Sequence, residues 1–199
     1  VFIHEGTRHT TVKPIHFKSQ AFDETKAYIN LIERTTGDKI TEMKSDNEKV
    51  YLNTAMSQWL HDKGIKHTTC PPYTSALNAV AERGIQSIME KTRSMIKQAG
   101  ISKKFWCYAA TTAAYITNRT AHSAKIKTPH ELLTGLIPDL SNLVTFGCIG
   151  VAPTTTPSEK GPKRTMGDRG EHVRILGYDE KYGVYIVRNK QGKIKRKQI

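Results

Sequence analysis

Apolar positions in the first seventy residues alternate between two periods. Val1-Phe2-Ile3 and Val12 to Phe17 read as two short strands around a polar turn at Gly6. Ser19 stands where a helix cap is needed, and Phe22, Ile29 and Ile32 then recur on one helical face up to Thr36, with Gly37 as the stop. Lys39 to Ser45 returns to strand character and delivers Asp46 at its carboxyl end. Thr54 to Lys63 is a short helix presenting Met56, Trp59 and Leu60, closed by Gly64, and Ile65 to Thr69 is one more brief strand. This strand–helix–strand rhythm predicts an α/β layer, in which reactive groups gather at the carboxyl ends of strands.

The run Cys70-Pro71-Pro72-Tyr73-Thr74-Ser75 is a loop, because two prolines fix φ and remove backbone donors. It leads into a long helix from about Leu77 to Ala99. There Ala81, Ile85, Ile88, Thr92, Met95, Ile96 and Ala99 keep the 3.6 period, and Gly100 ends it. Ser102 caps a further helix whose expected buried face is Phe105, Trp106, Ala109, Ala113 and Ile116. Thr128-Pro129-His130-Glu131 is a capping box with proline at the first helical position, ending at Gly135. From Leu143 onward short β-type runs alternate with Gly, Pro, Thr and Lys. The expected division is an α/β part over 1–118, a linker with a short helix over 119–142, and a small all-β module over 143–199.

Composition narrows the function classes. With 199 residues, 37% hydrophobic and 25% charged, the chain is neither disordered nor too small for a core. No apolar run is long enough to span a bilayer, and an opening at Val1 is expected of a fragment. Three cysteines, Cys70, Cys107 and Cys148, form neither a disulfide framework nor a CxxC site, which fits an intracellular location. The net charge of +13 is uneven: residues 1–60 balance at eight basic and eight acidic, so the whole excess lies in 61–199. Such a surface suits a polyanion, nucleic acid first, with a solvated lysine-rich surface as the plain alternative.

Two acids stand out. Asp46 ends a strand and Glu82 begins a long helix, with 35 residues between them. Carboxylates brought together from a strand end and a helix can hold a hard divalent cation for phosphoryl chemistry. The alternatives stay open: Asp46 as a turn acid bonded to its own backbone, and Glu82 as a first-turn acid favoured by the helix dipole.

The motifs around these acids resemble one family, the integrase region of copia-type long-terminal-repeat retrotransposon polyproteins. Ser45-Asp46-Asn47 is similar to its strand-end SDN, and Tyr73-Thr74 with Asn78-Ala79-Val80-Ala81-Glu82-Arg83 to its Y-T-P-x-x-N-G-V-A-E-R. Arg93-Ser94-Met95, Phe105-Trp106, Ala113 to Arg119, Thr128-Pro129-His130-Glu131-Leu132, Phe146-Gly147-Cys148 and Ile175-Leu176-Gly177-Tyr178 follow in the family's order. The resemblance implies an RNase H-like integrase core, incomplete at its N-terminus, followed by an SH3-like β module. It maps Asp46 and Glu82 onto the second and third acids of a D,D(35)E triad that uses Mg²⁺ or Mn²⁺ for DNA strand transfer.

The resemblance also implies DNA and a homo-multimer as partners, with no membrane and no small-molecule substrate, and a nuclear or virus-like-particle setting. It places the family's first acid upstream of the stretch matching Val1 to Phe17, so little or no strand transfer is expected of this chain alone. Glu48-Lys49-Val50-Tyr51, Ala79 and Gly84 depart from the pattern, and a helical glycine costs about 1 kcal/mol against alanine. Glu48 and Glu5 are weaker candidates for a substitute carboxylate. The nucleic-acid contacts expected are Tyr73 in the proline loop, Arg83, Lys91 and Arg93 on the long helix, Lys160, Lys163 and Arg164, and the tail Lys195, Arg196 and Lys197. The competing expectation is a non-catalytic basic remnant that binds nucleic acid without chemistry.

Overall fold

A minimal hairpin opens the chain, with β1 (Phe2–Ile3) antiparallel to β2 (Thr10–Thr11). The second strand lies earlier than the expected Val12 to Phe17, where Pro14 removes a ladder donor. The turn is closed by His4 instead: its N–H donates to the His9 carbonyl at 2.9 Å, and its ring bonds the Thr7 hydroxyl at 2.9 Å. A computed structural model describes residues 1–69, 75–121, 126–153 and 170–198, with backbone alone at 75–78.

A 3-10 turn at Lys18–Gln20 leads into α1 (Ala21–Thr36). Ser19 does not cap it. The Gln20 carboxamide oxygen reaches back and accepts from the His16 and Phe17 N–H groups at 2.8 and 3.0 Å. Gly37 ends the helix at φ 78°, the left-handed conformation that glycine adopts without strain. Next come β3 (Glu42–Ser45), α2 (Thr54–Asp62), whose Asn53 side chain accepts from Met56 N–H, and β4 (Lys66–Thr69), parallel to β3. The long α3 (Ser75–Ala99), α4 (Trp106–Arg119) and α5 (Pro129–Thr134) follow, α5 capped by Thr128 as expected. The chain closes with β5 (Ile149–Pro153), β6 (Gly170–Asp179), β7 (Val184–Asn189) and β8 (Ile194–Lys197), one antiparallel meander in the order β5-β6-β7-β8.

The chain divides into two compact units. One holds Val1–Ser87 with Thr117–Pro138; the other holds Ile88–Ile116 with Asp139–Ile199. In the first, Tyr28, Ile29 and Ile32 of α1 pack with Met56, Leu60, Ile65 and Leu133. In the second, Phe105 and Ala109 join Phe146 and Leu176, so helical residues share the core of the four-stranded sheet. That shared core is why the second unit reaches back to Ile88.

Trp106 is 49% exposed rather than buried, while Phe105, Ala109 and Ala113 are buried. Ala110 and Ala114, one and two turns further along the Trp106 stripe, are buried, so the exposure of Trp106 belongs to the first turn of α4 alone. Two glycines in the sheet unit allow close backbone approach. A Cβ on Gly147, at φ 80°, would lie 2.4 Å from the Ala99 Cβ, and one on Gly177 would lie 2.8 Å from the Thr112 hydroxyl. That hydroxyl donates to the Leu176 carbonyl at 3.2 Å, beside a register shift in β6.

Gly84 has a reason as well. A Cβ there would come within 2.2 Å of the Ile3 Cδ1, so the helix yields a side chain to seat β1. Gly84→Ala is therefore expected to forfeit most of the ~1 kcal/mol helix-propensity gain, because Ile3 must leave its rotamer. Adding Ile3→Val, which removes Cδ1, is expected to restore it. Urea denaturation of the cycle should show a coupling of about 1 kcal/mol, and additive single mutants would refute the contact.

Candidate functional site

Asp46 sits one residue beyond β3, where the parallel pairing with β4 ends at Ser45↔Thr69. Ser45 is buried; its hydroxyl donates to the Asp46 carbonyl at 2.9 Å and lies 2.9 Å from His67 Nε2. A hydroxyl that donates forward can only accept from the ring, which assigns the proton of His67 to Nε2. Burial lowers the His67 pKa, which keeps that neutral pairing. Asp46 itself is exposed, and its Oδ1 accepts from the Glu48 N–H at 3.3 Å. The backbone-bonded turn is thus present, and it occupies one carboxylate oxygen.

A cavity of about 530 Å³ adjoins this strand end. Its walls include Phe2, Ile3 and Glu5 from the hairpin, Tyr28, Ile29 and Ile32 from α1, and residues 38–46. Val80, Ala81 and Ile85 of α3 complete it. Glu82 is exposed on the same helix turn, next to Ala81, but does not itself line the cavity. Asp46 and the turn bearing Glu82 therefore border one space.

The weaker acidic candidates are engaged elsewhere. Glu48 pairs with Lys18 at 2.8 Å and Glu5 with Lys44 at 3.0 Å. Among the described residues, no group of three or more His, Cys, Asp or Glu comes together as a metal site. Two carboxylates fit Mg²⁺ all the same, because that ion keeps several waters and commonly takes one or two carboxylates plus substrate phosphates.

The expected nucleic-acid contacts are only partly visible. Tyr73, Lys160, Lys163 and Arg164 lie outside the described residues. Arg83, Lys91 and Arg93 are exposed on α3. The tail, expected to present three cations together, is split by the alternation of β8. Arg196 projects outward and pairs with Asp179, whereas Lys195 pairs with Glu171 at 3.6 Å. Lys197 is buried, its ammonium donating to the Pro153 carbonyl at 3.0 Å, which removes it from the outward-facing set.

A second polar cluster escaped the sequence reading. Asn118, 4% exposed, accepts from the Thr10 N–H at 2.8 Å and donates to the Thr10 carbonyl at 2.8 Å and to His9 Nε2 at 3.1 Å. With Nε2 accepting, the His9 proton sits on Nδ1. Burial, then the neighbouring His130, Arg119 and His4, push the His9 pKa down to about 4. A depressed pKa means the unfolded chain takes up the proton first. The neutral ring's contribution is complete above about pH 6.5 and is lost between there and pH 4, up to about 3 kcal/mol. Chemical denaturation at pH 7 and pH 4.5 should show that loss shrinking in His9→Phe; an unchanged pH slope would refute it.

Comparison with known proteins now bears on these residues. No family model matches the chain. Over 184 residues, 92% of this chain, it is 33% identical to the retrovirus-related Pol polyprotein from transposon TNT 1-94 of Nicotiana tabacum. It is 28% identical over 187 residues, 94% of the chain, to that of transposon RE1 of Arabidopsis thaliana. Its homologues are copia-type retrotransposon Pol polyproteins. The more distant Ty1-LR3 Gag-Pol polyprotein of Saccharomyces cerevisiae is 23% identical over 189 residues.

The chain spans 14% of the TNT 1-94 polyprotein and 12% of the RE1 polyprotein. Among solved structures, the HTLV-2 integrase catalytic core domain, in complex with magnesium in a trimeric form, matches with a TM-score of 0.50 at 14% identity. That match covers 66% of this chain and 80% of the core domain, and it carries the fold alone, which is RNase H-like. The four antiparallel strands at the other end are compatible with an SH3-like module. Among the described residues no helix is long and apolar enough to cross a membrane.

Proposed function

We propose that this integrase-lineage segment takes part in inserting element DNA into host DNA, with Asp46 and Glu82 supplying two of the carboxylates at the reacting phosphate. The observation that supports this best is the shared border. The Asp46 strand end and the α3 turn of Glu82 meet one cavity of about 530 Å³, in a chain homologous to Pol polyproteins over most of its length. Mg²⁺ or Mn²⁺, when bound, supplies Lewis-acid activation of the attacking and leaving oxygens. Asp46 is aimed by its turn: Oδ1 is held by the Glu48 N–H, and Oδ2 makes no hydrogen bond to a described residue. Glu82 stands on a rigid helix, which limits how far its carboxylate can stray.

DNA is the partner on this reading. Arg83, Lys91 and Arg93 on α3 and Arg196 on β8 hold phosphates without reading sequence. A homo-multimer is the working form, and the nucleus and a cytoplasmic particle are its settings. Titration calorimetry with Mn²⁺ and Mg²⁺ tests the acids directly. Binding is expected in the chain and is expected to be lost in Asp46→Asn/Glu82→Gln. Equal binding in both would overturn the pair as ligands.

A second reading rests on a specific observation, the lack of a three-ligand cluster among the described residues. It makes the chain a non-catalytic, basic nucleic-acid binder. Salt-sensitive, sequence-independent DNA binding that survives loss of both acids, with no metal uptake, would select it.

A further inference from the structure

Asp46 is held from two sides, and the two holds differ in strength. On its side chain, Oδ1 accepts from the Glu48 N–H at 3.3 Å, and the Glu48 carboxylate pairs with Lys18 at 2.8 Å. Those Glu48 and Lys18 side chains are 49% and 78% exposed, so water and salt screen the pair and it restrains little. On its backbone, the Asp46 carbonyl accepts from the Ser45 hydroxyl at 2.9 Å, and that hydroxyl lies 2.9 Å from His67 Nε2. Ser45 is 7% exposed, so little water competes for these bonds, and a polar link there is worth more than one on the surface.

The sheet register explains how His67 reaches. In the parallel pairing of β3 and β4, Met43 stands opposite His67 and Ser45 opposite Thr69. Alternate residues of a strand share a face, so His67 lies on the Ser45 face, one pair back, and its ring leans forward to the hydroxyl. Ser45↔Thr69 is the last pair of the ladder. Among the described residues Asp46 therefore has no strand neighbour to fix its carbonyl, and the Ser45 hydroxyl takes that place. A hydroxyl has one proton to give, and a second donor at its oxygen turns that proton toward the carbonyl. The N–H at His67 Nε2 is that donor. It is present in the neutral ring and in the protonated one, so the link does not turn on the charge of His67.

We propose that His67 is a positioning residue for Asp46: acting through the Ser45 hydroxyl, it fixes the backbone from which the Asp46 carboxylate projects. The assignment rests on the reading of Asp46 as a carboxylate that holds a divalent cation, and it adds a residue of β4 that acts through another side chain. A carboxylate on a wandering backbone loses affinity, because an ion that demands near-octahedral oxygen geometry must order it on binding. Partners that stand behind a ligand are felt in metal affinity for this reason.

The test uses the 199-residue chain, with NMR order parameters on the metal-free protein and Mn²⁺ titration calorimetry as the two readouts. His67→Phe keeps a ring and removes the donor. It is expected to lower the amide order parameters at Asp46 and Asn47 and to weaken Mn²⁺ binding about tenfold. His67→Gln sets a carboxamide N–H where Nε2 stands, and is expected to keep both readouts, with affinity within about twofold. Ser45→Ala removes the middle of the chain of bonds and should match His67→Phe; as a small truncation it carries the test if the phenyl ring does not fit. The double variant Ser45→Ala/His67→Phe is expected to be no weaker than either single one, since both break one link. Lys18→Met, on the screened side, should leave the order parameters unchanged.

Three results would overturn the proposal. One is an unchanged order at Asp46 in His67→Phe and Ser45→Ala. Another is a loss in His67→Gln as large as in His67→Phe, which would make the ring a packing element. The third is additive losses in the double variant, which would put Ser45 and His67 on separate routes. Failure of the parent reading shows differently: the native chain would take up no Mn²⁺. The order parameters, measured without metal, then decide alone whether His67 holds the Asp46 backbone.

Discussion

Gly147→Ala is expected to destabilise the chain by about 3 kcal/mol or more, from strain and overpacking together. Its φ is 80°, where a Cβ is strained, and that Cβ would lie 2.4 Å from the Ala99 Cβ and 3.4 Å from the Ala99 Cα. Neither side has an easy escape. The Gly147 N–H is held by the Ile175 carbonyl at 2.8 Å, and the Ala99 carbonyl accepts from the Arg174 guanidinium at 2.9 Å. Gly183 is the control: its φ is 62°, but nothing lies within 4 Å of a Cβ there. Gly183→Ala should cost about 1 kcal/mol, the conformational part alone. Urea midpoints separate the two contributions, and equal losses at both glycines would remove the close approach as the cause.

Asn118→Ala is expected to cost about 3 kcal/mol, for a different reason. It takes no strain away; it strands two buried backbone groups of Thr10 and the acceptor nitrogen of His9, and leaves a small cavity. Thr10 is 5% exposed, so water cannot readily replace the lost partners. Asn118→Asp keeps the acceptor for the Thr10 N–H but loses both donors, and should fall between. Hydrogen exchange at Thr10 should accelerate in step with the denaturation data. A loss below about 1 kcal/mol would mean that Asn118 is not the tie between β2 and α4.

The elements readable from sequence were those whose signals are local. Gly37, Thr128 with Pro129, and Gly135 each act on the residues beside them, and the helix ends they mark are where the structure has them. Tyr28 was also within reach, since it continues the spacing of Ile32 on the α1 stripe. Trp106 went the other way although the helical phase held and Ala110 and Ala114 on its stripe are buried; it sits on the first turn of α4, where periodicity does not record what packs alongside. Asp46 was legible as a strand-end acid, and both of its readings survive: the turn bond exists, and so does the adjoining cavity.

What the sequence withheld is long-range. Gly84 looks like a defect until Ile3 is beside it, and Gly147 looks like a loop residue until Ala99 is. Asn118 bonds a residue 108 positions away, and no window of sequence contains both ends. The tail shows a different limit. Its alternation was available in principle, but three adjacent cations read as a patch until a strand turns two of them inward.

That strand has a thermodynamic consequence for any polyanion laid across it. Lys195 is held by Glu171, Arg196 by Asp179 and Lys197 by a main-chain carbonyl, so each cation already has a protein anion or dipole as its neighbour. A phosphate arriving there displaces a carboxylate rather than meeting a bare charge. The condensed ions it sheds are then partly matched by ions recruited to the released Glu171 and Asp179. The gain in mixing entropy per phosphate is correspondingly smaller than the formal +13 suggests.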